Sequence, residues 1–232
     1  MQEWCPGRVW FVDQALSCWG TPIGTRMTVI KLANEQLFIH SPVELTTELQ
    51  LSLSKLGQIA FIVTPNHRHH LFLAEWWLAY RDAYFFSPPR LAQKRTDITF
   101  DDALGATTAT QWKGELHQTL LRGNDLFEEV IFFDPQSKTL LLGDTLAWLH
   151  SRHPLTALVG LLNGCYTHPA MPYYLRHTFK NKRQLRQSIQ EILSWPFERI
   201  ILSHGQVIDS NAKHHFANAF KHILFHPQQG HD

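Results

Sequence analysis

Apolar and polar positions along the chain switch between two periods. Apolar runs from Met27 to Leu32 and from Gln36 to His40 flank Ala33-Asn34-Glu35, which predicts a hairpin whose alternating residues cover one side of a sheet. A helical stretch is expected from Pro42 to Leu56, where Leu45, Leu49, Leu51 and Leu53 form a loose apolar face. Gln58 to Val63 is almost continuously apolar and β-branched, as suits a strand covered on both sides. A polar break, Thr64 to His70, then leads into a second helical stretch, Leu71 to Tyr80.

The theme returns further along. Glu129 to Phe133 and Thr139 to Leu142 flank Asp134-Pro135-Gln136-Ser137-Lys138, whose Pro and Asp form turns, so a second hairpin is predicted. From Pro154 to Ser194 the pattern is helical, with Leu185, Ile189, Ile192 and Leu193 on one stripe. Ile200 to Leu202 reads as a short last strand and Ala212 to Phe225 as a closing helix. Strands and helices alternate, with hairpins at two points, which predicts an α/β fold with mixed sheets.

Composition narrows the function classes. The 232 residues are 44% hydrophobic and 18% charged with a net charge of +1, a globular chain that buries roughly 70% of its unfolded surface. No repeat or Gly/Ser/Pro-rich linker divides it, so residues 1-232 read as a single domain with a helical segment at about 150-195. Near-neutral charge gives no general reason to expect nucleic acid or an anionic membrane as partner. The apolar stretches Leu71 to Leu78 and Leu155 to Leu162 fall short of the ~18 residues of a membrane span. The start Met1-Gln2-Glu3-Trp4-Cys5-Pro6 lacks the basic and apolar parts of a secretory signal, and Cys5, Cys18 and Cys165 form no C-x-x-C pair. A cytoplasmic location is the expectation. Fifteen histidines direct attention to metal and proton chemistry.

Three apolar strands each end on a metal-capable group. Ile59-Ala60-Phe61-Ile62-Val63 precedes Thr64-Pro65-Asn66-His67-Arg68-His69-His70, Leu140-Leu141-Leu142 precedes Gly143-Asp144, and Ile200-Ile201-Leu202 precedes Ser203-His204-Gly205. Ligands of open α/β sheets bind outside the carboxyl ends of strands, so these distant groups could meet there. Glycine beside Asp144 and His204 allows a sharp exit from the strand. Clustered imidazoles with one carboxylate suit zinc, iron or manganese better than magnesium or calcium. The competing reading is a surface histidine cluster with two turn residues at strand ends.

This order of motifs resembles the metallo-β-lactamase-like superfamily, and more narrowly a divergent branch with a paired His-His before an aromatic-rich helix. The similarity runs from about Val29 to Val207. It implies a four-layer αβ/βα sandwich of two mixed β-sheets with the metal site at one edge, and hydrolysis of esters, lactams, lactones, thioesters or phosphodiesters. The superfamily loop H-x-H-x-D-H falls on Pro65-Asn66-His67-Arg68-His69-His70. Pro65 stands in place of the first histidine, His67 matches the second, His69 replaces the aspartate and His70 matches the last. A further superfamily histidine falls on Asn124, while Asp144 matches the bridging aspartate and His204 the final histidine. One metal position is left with only His67 and Asp144. The other keeps His70, Asp144 and His204, with His69 as a fourth ligand.

The resemblance therefore implies one divalent metal, zinc first and iron or manganese next, held by His69, His70, Asp144 and His204 with His67 nearby. The expected reaction is hydrolysis of a small-molecule substrate, with Asp144 as the carboxylate of the catalytic group and no separate general base. The alternative is an inactive member, with the metal structural or absent, serving as a binding or regulatory module.

Other residues read more simply. His40, in His40-Ser41-Pro42 after the strand-like Leu37-Phe38-Ile39, is expected to be a half-buried structural histidine, with lining of the same edge as the other role. Glu128 and Glu129 read as the polar start of an edge strand, with a hydrogen bond to a ligating imidazole as the other role. His222 and His226 are an i, i+4 pair without a third ligand. Arg176, Lys180, Lys182, Arg183 and Arg186, beside Tyr173 and Tyr174, read as a solvated helix face, or as a bias toward anionic substrates if they overhang the metal edge. Trp76 and Trp77 are expected to pack the loop's helix into the core, and Cys165 to be structural.

Overall fold

The computed structural model describes residues 1–224, so Phe225 and His226 lie outside the described residues. The chain begins with strands β1 (Gln2–Cys5) and β2 (Val9–Gln14), a small hairpin β3 (Ser17–Cys18) and β4 (Thr21–Pro22), then β5 (Thr25–Lys31) and β6 (Gln36–His40). Helix α1 (Thr47–Ser54), β7 (Gln58–Val63), α2 (Leu73–Ala79), β8 (Tyr84–Ser87), α3 (Pro89–Lys94) and β9 (Asp102–Ala103) follow. The second half comprises β10 (His117–Leu120), β11 (Val130–Asp134), β12 (Thr139–Leu142), α4 (Pro154–Leu162), α5 (Tyr173–Arg176), α6 (Lys182–Ser194), β13 (Arg199–Leu202), α7 (Ala212–Ala219) and α8 (Lys221–Leu224).

Two mixed sheets result. The larger has the order β1-β2-β5-β6-β7-β8-β9, and the smaller β10-β11-β12-β13. Pairing is antiparallel through β6 and parallel from β6 onward in the first sheet, whereas β12 and β13 are the parallel pair of the second. Strand parity then sorts the side chains into layers. Val130 and Phe132 of β11, Leu141 of β12 and Ile201 of β13 meet Phe38, Phe61, Val63 and Phe86 between the sheets. Their neighbours Ile131, Phe133, Leu140, Leu142, Ile200 and Leu202 point the other way, onto α6 and α7 through Leu185, Ile189, Ile192 and Phe216. On the far side of the large sheet, Leu37, Ile39, Ile62 and Phe85 pack against Leu49, Leu53, Leu73, Trp76 and Leu91 of α1, α2 and α3. The sequence of layers is helix, sheet, sheet, helix, the expected four-layer sandwich.

Both predicted hairpins form, as β5–β6 and β11–β12. Helix α1 is shorter than Pro42 to Leu56 because the Thr46 hydroxyl accepts from Leu49 N at 3.2 Å and starts the helix there. The segment before it instead gives the Val43 carbonyl to the Trp76 indole N–H at 2.6 Å, which buries Trp76 as expected. Trp77 stays half-buried, under the Arg81 guanidinium at 4.0 Å. The long helical run from Pro154 breaks after Leu162, where Gly164 adopts φ +70° and Pro169 and Pro172 follow. β2, β8 and β10 are strands the pattern did not reveal. β10 hides because its inward side chain Gln118 is polar, satisfied by the Trp112 indole N–H at 2.9 Å and the Thr107 carbonyl at 2.7 Å. The three cysteines are free.

A buried ion pair ties the sheets together at the edge away from the candidate site. Arg8, in the β1–β2 turn, donates from Nη2 to Asp134 Oδ1 at 2.8 Å and pairs through Nη1 with Glu115 at 3.1 Å. Arg8 and Asp134 are both buried, so losing one partner strands the other charge. Arg8→Ala is expected to destabilise the fold by about 3–5 kcal/mol in urea unfolding, and Arg8→Met with Asp134→Leu by much less. Equal losses from the single and double variants would show that the cost does not come from a stranded carboxylate.

Candidate metal centre

The carboxyl ends of β6, β7, β12 and β13 lie along one edge, where the two sheets face each other. His40 and Ser41 leave β6, the His-rich loop leaves β7, Gly143-Asp144 leaves β12 and Ser203-His204 leaves β13. Parallel pairing brings the ends of β12 and β13 into register through Leu142 and Leu202. His69, Asp144 and His204 converge there, with one ligand atom from each within 4.8 Å of the others.

Both imidazoles are turned by contacts on their Nδ1 atoms. His204 Nδ1–H donates to the Gly24 carbonyl at 2.7 Å, which turns its Nε2 toward Asp144 Oδ1 at 3.3 Å. His69 Nδ1 makes a short contact with the Ser41 hydroxyl, and its Nε2 faces Asp144 Oδ2 at 3.5 Å. That Nε2 is buried and has no hydrogen-bond partner. Burial opposes ionisation of Asp144, but the charges of His69 and His204 and the His204 hydrogen bond outweigh it and hold the carboxyl well below the usual range. For His204, burial is likewise outweighed by the Asp144 hydrogen bond and charge, which raise its pKa.

A second layer fixes Asp144 itself. Glu129, fully buried just before β11, accepts from the N–H groups of Gly143 at 3.0 Å, Asp144 at 2.8 Å and Thr145 at 3.1 Å, and from the Thr145 hydroxyl. Asn66 Nδ2 donates to Glu129 Oε2 at 3.2 Å and to Asp144 Oδ2 at 3.0 Å. Burial, then the neighbouring Asp144 charge, push the Glu129 pKa up. Gly143 is needed for room rather than for an unusual φ: a Cβ there would sit 2.9 Å from Asn66 Nδ2 and 3.1 Å from Glu129 Oε2. Gly205 has φ +80°, and a Cβ would strike the Trp148 carbonyl.

The remaining loop histidines lie elsewhere, and neither contributes an atom to the group. His70, assigned to the metal by the loop alignment, turns its ring toward two cations: Nε2 lies 2.9 Å from Lys94 Nζ and Nδ1 lies 3.1 Å from an Arg95 nitrogen. Burial and those two charges lower its pKa. His67 packs edge-on against Phe127, with ring centroids 5.6 Å apart. Asn66 Oδ1 accepts from Arg68 N at 2.8 Å, a local turn that presents alternate loop residues to opposite sides. Consequently His69 takes the inward place. Asn124 spends its side chain on its own turn, accepting from Leu126 and Phe127 N–H groups. His40 is buried rather than half-buried, and its pKa falls to about 3 through burial and the His69 charge. Glu129 is no solvated strand start, the His40-Ser41 segment does line the edge, and Asn66 and Gly24 escaped the sequence reading. The usable signal was a Glu placed directly before Val130-Ile131-Phe132-Phe133.

A cavity of about 750 Å³ opens over the group. Asp144 and His204 form part of its floor, with Ala147, Leu149, Val159 and Cys165 as an apolar wall and Arg68, His70 and Lys94 as a cationic one. Tyr174 completes the cationic side by accepting from Arg68 Nη1 at 3.1 Å. Burial pushes the Cys165 thiol up to about 11, which agrees with an inert structural thiol.

Comparison with known proteins agrees with this architecture. The family model described as "Domain of unknown function (DUF4336)" matches residues 6–163. No curated protein matches the chain. Among solved structures, a metallo-beta-lactamase from Pontibacter korlensis superposes with a TM-score of 0.63 at 15% identity, covering 94% of this chain and 97% of its own. The metallo-beta-lactamase FIM-1 from Pseudomonas aeruginosa, in its mono-zinc form, gives 0.62 at 10% identity, with 97% and 96% covered. The metal-soaked Flv1 flavodiiron core from Synechocystis sp. PCC6803 gives 0.61 at 9% identity, with 95% of this chain and 59% of that chain covered. The chain has the metallo-β-lactamase fold.

Glu129→Gln turns one oxygen into an NH2 that faces N–H donors, so it should cost about 2–4 kcal/mol in chemical unfolding. Glu128→Gln next to it should stay within about 0.5 kcal/mol of the parent. A neutral effect of Glu129→Gln would mean that the donors around position 129 find other acceptors.

Proposed function

The chain belongs to the DUF4336 family, and on that premise we propose that it is a metal-dependent hydrolase whose single divalent ion is held by His69, Asp144 and His204. The observation that carries this reading is the pair of imidazoles anchored through Nδ1, each turning Nε2 toward one oxygen of the same carboxylate. Anchoring the far nitrogen is what orients metal-ligating histidines. The buried His69 Nε2 without a hydrogen-bond partner is the group an ion would satisfy. Two imidazoles and a carboxylate make a borderline donor set, suited first to zinc and next to iron or manganese. When bound, such an ion supplies Lewis acidity, polarising a carbonyl or phosphoryl oxygen and acidifying water.

The chain's own residues do the rest. Glu129 and Asn66 hold Asp144 in place, so the carboxylate binds without reorganising. Leu149, Val159 and Cys165 exclude water from an apolar substrate body, while Lys94 and Arg68 favour an anionic group on it. Asp144, with both oxygens directed at imidazoles, acts as a ligand and not as a free general base.

One observation favours a second reading, an inactive member serving as a binding module: the carboxylate and the two imidazoles already compensate one another as an ion pair. Metal content separates the two. After reconstitution with zinc, iron(II) or manganese(II), the wild type should carry ~1 ion per chain by plasma mass spectrometry. His69→Ala and His204→Ala should each lower affinity by about 100-fold or more, and His70→Ala should retain the ion. A chelator-sensitive activity on an ester, lactone, thioester or phosphodiester panel would complete the case for a hydrolase. Absence of bound metal after reconstitution, or content unchanged by His204→Ala, would overturn it.

A further inference from the structure

Helix α4 presents its apolar side outward. Positions 155, 158, 161 and 162 fall on one arc of the helix, and all four are leucines, Leu155, Leu158, Leu161 and Leu162, the last 66% exposed. The inward positions are Thr156 and Gly160. Gly160 lets the helix lie close on Leu149, whose carbonyl would be 3.0 Å from a Cβ at that position. Thr156 donates to the Pro22 carbonyl at 2.6 Å, which fastens α4 to the β3–β4 hairpin. The tip of that hairpin is Trp19, with φ +53° and 99% exposure. Trp19 also lines the rim of the cavity, beside Val159 and Tyr174.

The segment that carries this ridge holds charge of one sign. From Thr145 to Gln190 there is no aspartate or glutamate, whereas Arg152, Arg176, Lys180 and Lys182 fall within it. α5 adjoins the end of α4, where Tyr173 N donates to the Asn163 carbonyl at 3.3 Å. Beyond it, Lys182 Nζ reaches the Arg176 carbonyl at 3.4 Å, and burial together with the charges of Arg176 and Lys180 lowers the Lys182 pKa. The chain's net charge of +1 conceals this local excess, because the acidic residues lie on other segments.

We propose that this face docks on an anionic lipid bilayer, with the α4 leucines and Trp19 in the headgroup and upper acyl region and the basic residues on lipid phosphates. Peripheral attachment needs two signals, an apolar insertion and a basic fringe, and this face carries both. An interfacial tryptophan fits the same boundary. A second copy of the chain is the poorer occupant. A two-fold interface would set the basic fringe near its own image, with no carboxylate in the segment to offset it.

Flotation of the full chain with phosphatidylcholine vesicles, and with vesicles of equal parts phosphatidylcholine and phosphatidylglycerol, tests this. Binding should be about 10-fold stronger or more with phosphatidylglycerol and should weaken as salt is raised. Leu158→Glu with Leu162→Glu should abolish it, and Arg176→Ala with Lys182→Ala should reduce it toward the neutral-vesicle level. Trp19→Ala, at a fully exposed tip, is a second apolar variant that leaves the core untouched and should weaken binding on both vesicle types. Circular dichroism melts establish that each variant is folded. No flotation with either composition, flotation unchanged in the leucine variant, or a dimer in light scattering that the leucine variant dissolves without any vesicle binding would each overturn the proposal.

Discussion

The site rests on one buried carboxylate that touches no imidazole. Glu129 collects the N–H groups of three successive residues, Gly143, Asp144 and Thr145, and thereby closes the backbone of the β12 exit into a cradle. Those N–H groups leave the sheet without ladder partners, and a buried donor without an acceptor is costly. Asn66 spans the remaining gap, joining the cradle to the His-rich loop and to Asp144 in one step. Asn66 and Glu129 also form an isolated bridge between the loop after β7 and the start of β11, and the Glu129 side chain carries that hold on to the exit of β12. His69 and His204 approach a carboxylate whose place is already decided.

That arrangement depends on the two sheets facing each other at a constant separation. Arg26 of β5 donates to the Leu202 carbonyl at 2.6 Å, joining the large sheet to the last strand of the small one one residue before Ser203-His204. The Gly24 carbonyl that orients His204 comes from the same segment. Phe38, Phe61, Phe86, Trp112 and Phe132 fill the space between the sheets as edge-to-face pairs, which resist sliding. A change in the inter-sheet core would therefore be felt at the His69–Asp144–His204 group, because each sheet contributes part of it.

Charge is distributed unevenly around this centre. Buried carboxylates form its base, cations line one wall of the cavity and the rim passes into a basic, leucine-rich face. His70 belongs to the cationic wall through Lys94 and Arg95, and Arg95 in turn is balanced by Asp97 at 2.8 Å. Lys94 Nζ lies 2.9 Å from His70 Nε2 on this wall, which therefore brings positive charge to the cavity.

Much of the fold was legible in the chain. The runs at Gln58–Val63, Val130–Asp134, Thr139–Leu142 and Arg199–Leu202 are apolar because both faces of those strands are covered, so their pattern reports burial directly. The residues at their carboxyl ends were legible for the same reason, and Asp144 and His204 do meet. What the chain could not disclose is which histidine of Asn66-His67-Arg68-His69-His70 faces inward, since that follows from the Asn66 turn and from cations supplied by α3, far along the chain. Nor could it disclose Glu129, whose surroundings read as an edge until β10 pairs beyond it and the β12 exit folds over it. Local pattern decides which segments are strands and where they stop. The direction of a side chain at those stops is decided by partners from other segments, and only the folded chain brings them within reach.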